Sequence, residues 1–136
     1  MWPLVGTVRL STGRSAAPWL KSLLRSDSCG TVHANTAADV PARLEALGSL
    51  AGLDRLSVHS QLSAALDVIV HLVRDPGTGL RRVSEIHMLE GDDRGLAVTT
   101  PAVTFTARGD CEPGPGWDRL RYRCALRGVA MPRSSR

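Results

Sequence analysis

The sequence predicts an α/β fold, and three observations support this class. Strand-like runs rich in β-branched residues occur at 4–10 and 29–34. A third run at 68–73, apolar except for one histidine, is typical of a strand covered on both faces. Between the second and third runs, apolar residues recur at helical spacing. Strands that alternate with amphipathic helices favour a layered α/β domain.

Length and composition indicate one folded domain. A chain of 136 residues is long enough to bury a hydrophobic core. With only three Trp, one Tyr and one Phe, stacking on nucleic-acid bases has little support. The net charge is +4, and basic residues cluster near the C-terminus. They are Arg119, Arg121, Arg123, Arg127, Arg133 and Arg136. The interpretation favoured here is a solvated terminus, and the alternative is a surface for phosphates or an acidic partner.

The cysteines and the apolar runs indicate the cellular compartment in which we expect the protein. Three cysteines without CxxC spacing argue against a disulfide framework or a structural zinc site, and they suggest reduced, mostly buried thiols. The N-terminal apolar run is too short for a secretory signal, and no run of about 18 apolar residues is present. We therefore expect a cytoplasmic protein whose membrane contacts are made by partners.

The first helix follows the second strand. Asp39 is the predicted N-cap, because Pro41 then falls in the first helical turn. The apolar stripe of this helix consists of Val40, Leu44, Leu47 and Ala51. Gly52 then breaks the pattern.

A second helix and a hairpin follow. Ser57 is predicted to open the second helix, with Val58, Leu62, Ala65 and Leu66 as its apolar stripe. The run at 68–73, the turn RDPGTG and the run RRVSEIHMLEG at 81–91 predict an antiparallel hairpin. DDRG at 92–95 is predicted to be a turn and not a calcium loop.

The C-terminal third predicts one more strand and one more helix. The strand covers 96–106, where Pro101 restricts it to a sheet edge or a bend. CEPGPGW at 111–117 is predicted to be a turn and linker. A terminal helix then places Trp117, Leu120 and Cys124 on one side.

Three consecutive stretches carry a resemblance to a known family. They read CGTVHANTAADVPARLEALG, AGLDRLSVHSQLSAALDVIVHLVRD and RRVSEIHMLEG. Together they resemble the C-terminal half of the CpaF/TadA-type secretion ATPases, within the broader type II/IV secretion ATPase family (secretion protein E superfamily). The resemblance implies the C-terminal part of a RecA-like P-loop ATPase domain, with an incomplete sheet, flanking helices and a terminal hairpin. On this basis 1–28 is a non-matching segment, 29–110 the ATPase part, and 111–136 a linker, short helix and basic tail.

The resemblance implies a function and a site. Family members form rings of six subunits that hydrolyse ATP with Mg²⁺ and power secretion or pilus assembly beside inner-membrane proteins. The matching histidine box comprises Thr31, His33 and Asn35, near the γ-phosphate of the nucleotide. Ring geometry suggests a subunit contact for Arg43, although a solvated helix face accounts equally well for Arg43 and Glu45. The chain would then lie in the cytoplasm, peripheral to the inner membrane through its partners.

The sequence departs from that family at the catalytic motifs. No GxxxxGK[ST] loop is present. The nearest candidate, Lys21 and Ser22, has Ser15 and Leu20 at the two glycine positions. Thr7 stands where the family strand VGEVR has its glutamate, and threonine cannot act as a general base. We therefore predict no intact catalytic residues, no metal site and no ATP hydrolysis by this chain alone.

Two other functions are compatible with the sequence. The first alternative is a non-catalytic subunit that docks into an intact ATPase ring. The second is a small nucleic-acid-binding domain that uses its arginine-rich C-terminus, for which binding would weaken steeply with salt.

We predict structural roles for the remaining histidines. His59 is placed on the polar side of its helix, at the surface, and His71 inside an apolar strand as a packed or edge residue. His87 shares a strand face with Glu85 and could mimic a metal-binding pair. Two ligands without a third are a weak signal, so an ordinary exposed hairpin face is the favoured interpretation.

Overall fold

The computed structural model describes residues 5–10 and 29–131. Within these ranges the chain forms six strands, one short 3₁₀ turn and three α-helices. In chain order they are β1 (Val5–Leu10), β2 (Cys29–His33), the 3₁₀ turn (Ala37–Asp39), α1 (Val40–Leu50), α2 (Arg55–Ala65), β3 (Leu66–Arg74), β4 (Arg81–Gly91), β5 (Ala97–Phe105), β6 (Cys111–Pro113) and α3 (Trp117–Leu126). This content confirms the α/β class.

The strands form one sheet in the order β2-β1-β3-β4-β5-β6, and each neighbouring pair is antiparallel. The predicted hairpin is confirmed as β3 and β4, whose connecting turn is organised by Asp75. The Asp75 carboxylate accepts hydrogen bonds from the backbone N–H groups of Gly77 and Thr78, at 2.8 and 2.9 Å. The predicted turn at 92–95 is also confirmed, since the Asp92 carboxylate accepts from the N–H groups of Arg94 and Leu96.

Helices cover both faces of the sheet. One face, called here the α1–α2 face, carries α1, α2 and the 3₁₀ turn, and its core includes Leu44, Leu62, Ile69 and Leu89. The opposite α3 face carries α3, and its core consists of Met88, Ala102, Val103 and Leu120. Because successive residues of a strand point to opposite faces, β3 and β4 supply both cores at once. This explains why the run at 68–73 is apolar.

Helix α1 begins where the sequence predicts, but its first turn is organised differently. Asp39 is the N-cap residue and Pro41 lies in the first turn, yet the Asp39 side chain makes no capping hydrogen bond. Asp39 instead ends the 3₁₀ turn, where its backbone N–H donates to the carbonyl oxygen of Thr36 at 3.2 Å. The predicted stripe is confirmed at Val40 and Leu44, which are fully buried, and Leu47 is partly buried. It was wrong at Ala51, which is exposed and follows the last residue of the helix.

The predicted start of α2 was wrong by two residues. The helix begins at Arg55, and its N-cap is Asp54. Asp54 accepts hydrogen bonds from both the backbone N–H and the hydroxyl of Ser57, at 3.0 and 2.6 Å. Ser57 is thus the third helical residue. The stripe of Val58, Leu62 and Ala65 is confirmed as buried, whereas Leu66 already belongs to β3.

The C-terminal third extends the sheet further than the sequence predicts. Pro101 lies inside β5, and the register shifts between Ile86 and His87 opposite it, so the predicted bend is confirmed. The stretch predicted as a turn and linker begins with β6, which pairs with β5. The turn to α3 then packs against β5, where a side chain at Gly114 would lie 2.5 Å from the Pro101 carbonyl oxygen. Only glycine fits this approach.

Candidate functional site

The histidine-box residues lie along β2 and just beyond it. Val32 and Ala34 are buried, whereas Thr31, His33 and Asn35 are exposed. Thr31 and His33 therefore share one strand face and alternate with a residue that anchors the strand in the core. The structure thus brings these two side chains into one exposed row, and the exposed Asn35 follows His33 by two residues.

The register connects this row with β1, where Thr7 stands at the position of the family's glutamate. Thr7 of β1 lies opposite Thr31, and Val5 lies opposite His33. On its other side Thr7 pairs with Val70 of β3. Opposite residues in antiparallel strands have Cα atoms about 4.5 to 5.5 Å apart. The position at which the resemblance expects a glutamate is therefore the direct cross-strand neighbour of the histidine box.

The other predicted site residues are not joined to this row. Arg43 is exposed on α1, and no hydrogen bond or ion pair connects it to the histidine box within the described ranges. Lys21 and Ser22 lie outside the described residues. Glu45 differs from the predicted solvated residue, because it is half-buried and contacts Arg55 and His59.

His59 is buried, so its predicted surface position was wrong. Its ring is only 4% exposed, although it stands on the helix side that the sequence marks as polar. The ring Nδ1 accepts a hydrogen bond from the Ala97 backbone N–H at 2.9 Å. The other ring nitrogen, Nε2, must then carry the proton of the neutral ring and donate to the Glu45 carboxylate at 2.6 Å. His59 therefore joins α1, α2 and β5, and no signal in the sequence pairs these three positions.

The hydrogen bond from His59 also affects Glu45. This bond, assisted by the charge of Arg55, lowers the pKa of the Glu45 carboxyl below its ordinary value of 4.5. The carboxylate therefore remains ionised as an acceptor through the neutral range. The role that this geometry supports is structural, because both ring nitrogens already have partners.

His71, Glu85 and His87 form a second cluster on the α1–α2 face, called here the His71–His87 cluster. His71 is buried, as predicted, and its Nδ1 lies 2.9 Å from the Ser84 hydroxyl oxygen. His87 is also buried, so the exposed hairpin face predicted for it was wrong. Its Nε2 lies 3.2 Å from a Glu85 carboxylate oxygen. Burial lowers the pKa of His87 below its ordinary 6.5, despite the opposing effect of Glu85.

The arginines of α3 are paired rather than simply solvated. Arg119 pairs with Glu90, and Arg121 with Asp118. Arg123 and Arg127 both contact Asp67 at the start of β3, at 3.3 and 3.7 Å. These contacts attach α3 to the sheet. Arg133 and Arg136 lie outside the described residues.

The two cysteines whose side chains the structure describes differ in exposure. Cys111 is exposed and Cys124 half-buried, so the prediction of buried thiols was wrong for Cys111.

In the described part of the chain, no three His, Cys, Asp or Glu side chains are grouped closely enough to hold a metal ion. None of the helices that the structure describes has the length and apolar character needed to cross a membrane.

Comparison with known proteins identifies the family. The model of the type II/IV secretion system protein family matches residues 25–107, which include the histidine box, His59 and the His71–His87 cluster. The chain belongs to this family. No solved structure matches the chain significantly. The RecA-like form of the domain therefore remains a prediction.

Two curated relatives come from Mycobacterium tuberculosis, strains CDC 1551 and H37Rv, and their names describe them as candidate conjugal transfer proteins. Each is 55% identical to this type II/IV secretion family chain over 71 residues, or 52% of the chain. The chain spans about one fifth of the length of these relatives, since the match covers 20% of each.

Proposed function

We propose that residues 29–110 form the histidine-box part of a secretion ATPase of the CpaF/TadA type. In this proposal Thr31, His33 and Asn35 face the γ-phosphate edge of an ATP molecule held at a boundary between subunits. The observation that carries the proposal is the coincidence of the family match at 25–107 with an exposed row of these polar side chains. Buried neighbours on β2 hold the row in place.

The chemistry of the row suits a phosphate. A neutral imidazole donates from one nitrogen to a phosphate oxygen while its second nitrogen is oriented by another group. The Thr31 hydroxyl and the Asn35 amide add further donors beside it. Hydrogen bonds to charged groups contribute about 1.5 to 3 kcal/mol each, so a few donors suffice to report the presence of a γ-phosphate.

The nucleotide itself would be held by groups outside these 136 residues. Mg²⁺ and the β- and γ-phosphates require a GxxxxGK[ST] loop, and the sequence contains none. We propose that the chain does not hydrolyse ATP alone and acts within a six-membered ring of secretion ATPase subunits. Arg43, exposed on α1, is the proposed subunit contact. The ring would lie on the cytoplasmic side of the inner membrane, next to membrane proteins of a secretion or pilus system.

A chimaera tests the proposed role of the histidine box. Residues 29–110 would replace the matching segment of an intact family ATPase, and ATP hydrolysis would be measured. We expect an active ring, in which His33→Gln lowers kcat by about 10- to 100-fold, the loss expected for one hydrogen bond to a charged group. Arg94→Ala, in the exposed turn after β4, is the matched control and should leave kcat unchanged. An active chimaera that tolerates His33→Gln would contradict the proposal.

The isolated chain needs a separate measurement. We expect no magnesium-dependent binding of labelled ATP to the purified 136-residue protein, and tight binding would contradict this part of the proposal. The alternative, a non-catalytic subunit that docks into an intact ring, predicts co-purification with a full-length family ATPase. Failure to bind that ring, with and without ATP, would remove the alternative.

A further inference from the structure

The His71–His87 cluster contains two buried ring nitrogens that the proposed function does not use. His71 and His87 are 4% and 6% exposed. His71 Nε2 and His87 Nδ1 are both buried and have no hydrogen-bond partner among the residues that the structure describes. Unpartnered polar atoms in a protein interior are uncommon, and each one calls for a physical explanation.

The hydrogen bonds around the two rings indicate which nitrogen of each ring donates a proton. The Ser84 hydroxyl donates to the His71 carbonyl oxygen at 3.2 Å, so His71 Nδ1–H donates to the Ser84 oxygen. His87 Nε2–H donates to the Glu85 carboxylate. Each ring therefore keeps its bare lone pair on the unpartnered nitrogen. A proton added there would create a buried N–H group without an acceptor, together with a buried charge.

The segment that follows the histidine box packs over the strands that carry this cluster. From His33 the chain continues through the buried residues Ala34 and Ala37 into the 3₁₀ turn, which contacts β3, β4 and β5. The register places Val32 in the same row as His71 and Glu85, so this end of the face is next to the histidine box.

Helix α2 packs at the opposite end of the same face. His59 of α2 binds Ala97, and Ser63 lies beside Gly91. Gly91 and Ala97 pair with each other at the far end of β4 and β5. The 3₁₀ turn, which follows β2, therefore lies nearer the histidine end of this face than α2 does.

The charged groups around the cluster are few. In the described part of the chain, Glu85 is the carboxylate within 4 Å of both rings, and it is hydrogen-bonded only to His87. Its Oε2 is 3.2 Å from His87 Nε2 and 3.9 Å from His71 Nδ1. Asp39 on the 3₁₀ turn is exposed, and Arg82 on β4 donates to the Phe105 carbonyl oxygen. The residues opposite the cluster on the neighbouring strands, which are uncharged, are Gly6, Pro101 and Thr104.

We propose that the His71–His87 cluster positions the histidine box and that protonation of the cluster changes this position. While both rings are neutral, the segment 34–39 stays packed over the strands that carry them. A proton taken up by either ring requires a new acceptor or contact with water, and moving the segment 34–39 supplies that contact. His71 and His87 are thus positioning residues for Thr31, His33 and Asn35. The proposal concerns where this segment lies and does not depend on its nucleotide role.

Hydrogen exchange measures the position of the segment directly. The backbone amides of Asp39 and Val40, which donate to the Thr36 and Ala37 carbonyl oxygens, report on the segment 34–39. Their exchange in the 136-residue protein would be followed between about pH 7.5 and 5.5, the range in which histidine titrates, with rates corrected for intrinsic exchange. We expect protection to fall by about fivefold or more at the lower pH, while the amides of α2 change less. Protection that does not change with pH would overturn the proposal.

Variants separate protonation from packing. The double variant His71→Asn with His87→Gln keeps an N–H donor toward Ser84 and Glu85 but cannot titrate. We expect its protection at 34–39 to be independent of pH, and a pH response like that of the wild type would overturn the proposal. His33→Gln, which changes an exposed histidine nearby, is the matched control and should keep the wild-type response.

A single substitution provides a test if the double variant does not fold. Glu85→Gln removes the carboxylate that would stabilise a protonated ring, so the loss of protection should shift to lower pH. An unchanged midpoint in this variant would also overturn the proposal. Because no nucleotide is used in these measurements, their outcome is independent of the ATPase chimaera.

Discussion

Single histidines connect distant parts of this protein. His59 joins two helices and a strand because its two nitrogens have complementary partners, the Ala97 N–H and the Glu45 carboxylate. Within 5–10 and 29–131, His87 instead has a partner at Nε2 and none at Nδ1. We therefore expect His59 to stabilise the fold and His87 to make its stability depend on protonation.

Replacement of His59 should destabilise the fold strongly. His59→Ala removes a buried ring and leaves the Ala97 N–H without an acceptor, so we expect a loss of about 2 to 4 kcal/mol in the free energy of unfolding. His59→Gln retains a donor and an acceptor and should lose less. Urea denaturation measures both variants. Equal stability of His59→Ala and the wild type would show that the contact with Ala97 contributes nothing.

His87 should make stability depend on pH in a defined window. Because burial lowers its pKa below 6.5, the folded ring stays neutral at pH values where the unfolded ring takes up a proton. The free energy of unfolding should therefore fall as the pH drops from about 6.5 toward the folded-state pKa. Denaturation curves at several pH values would measure this slope. His87→Gln should reduce it, and an unchanged slope would contradict the assignment.

At the level of elements, capping explains where the helices begin. Both α1 and α2 follow an aspartate, but only Asp54 forms side-chain hydrogen bonds to its helix. Asp39 belongs to the 3₁₀ turn that continues from the histidine box. The chain thus enters α1 through a turn held by packing, and α2 through a cap held by hydrogen bonds.

The two aspartates form a matched pair for a stability test. Asp54→Ala should lower the unfolding midpoint more than Asp39→Ala, because only the first removes capping hydrogen bonds. The bonds from Ser57 also lower the pKa of Asp54 below 3.8, so its contribution is present above pH 3.8 and is lost as the pH falls through the folded-state pKa. Thermal unfolding at neutral and acidic pH measures both effects. Equal losses for the two variants would contradict the assigned caps.

At the level of the whole molecule, the sheet separates two apolar cores. Ile69 belongs to the core of the α1–α2 face, whereas Leu120 belongs to that of the α3 face. The two clusters share the backbone of β3 and β4 but lie on opposite sides of it. We therefore expect the two cores to pack independently of each other, although they unfold together with the sheet.

A double substitution tests this separation. Ile69→Val should cost about 0.5 to 1.5 kcal/mol and Leu120→Ala about 2 to 5 kcal/mol in the free energy of unfolding. Because the two side chains lie on opposite faces, the double variant should lose the sum to within about 0.5 kcal/mol. Chemical denaturation of the three variants provides the measurement. A deviation larger than about 1 kcal/mol would indicate that the cores are coupled through the sheet.

The sequence by itself determined the α/β class, the β3–β4 hairpin and most of the buried stripes of α1 and α2. These features depend on residue periodicity and turn chemistry, which act over a few neighbouring positions. The tertiary structure alone decided that His59 and His87 are buried, that Asp67 binds Arg123 and Arg127, and that the 3₁₀ turn after His33 packs over β3 and β4. Each of these contacts joins residues far apart in the chain, and the alignment of strands that brings them together has no local signal in the sequence.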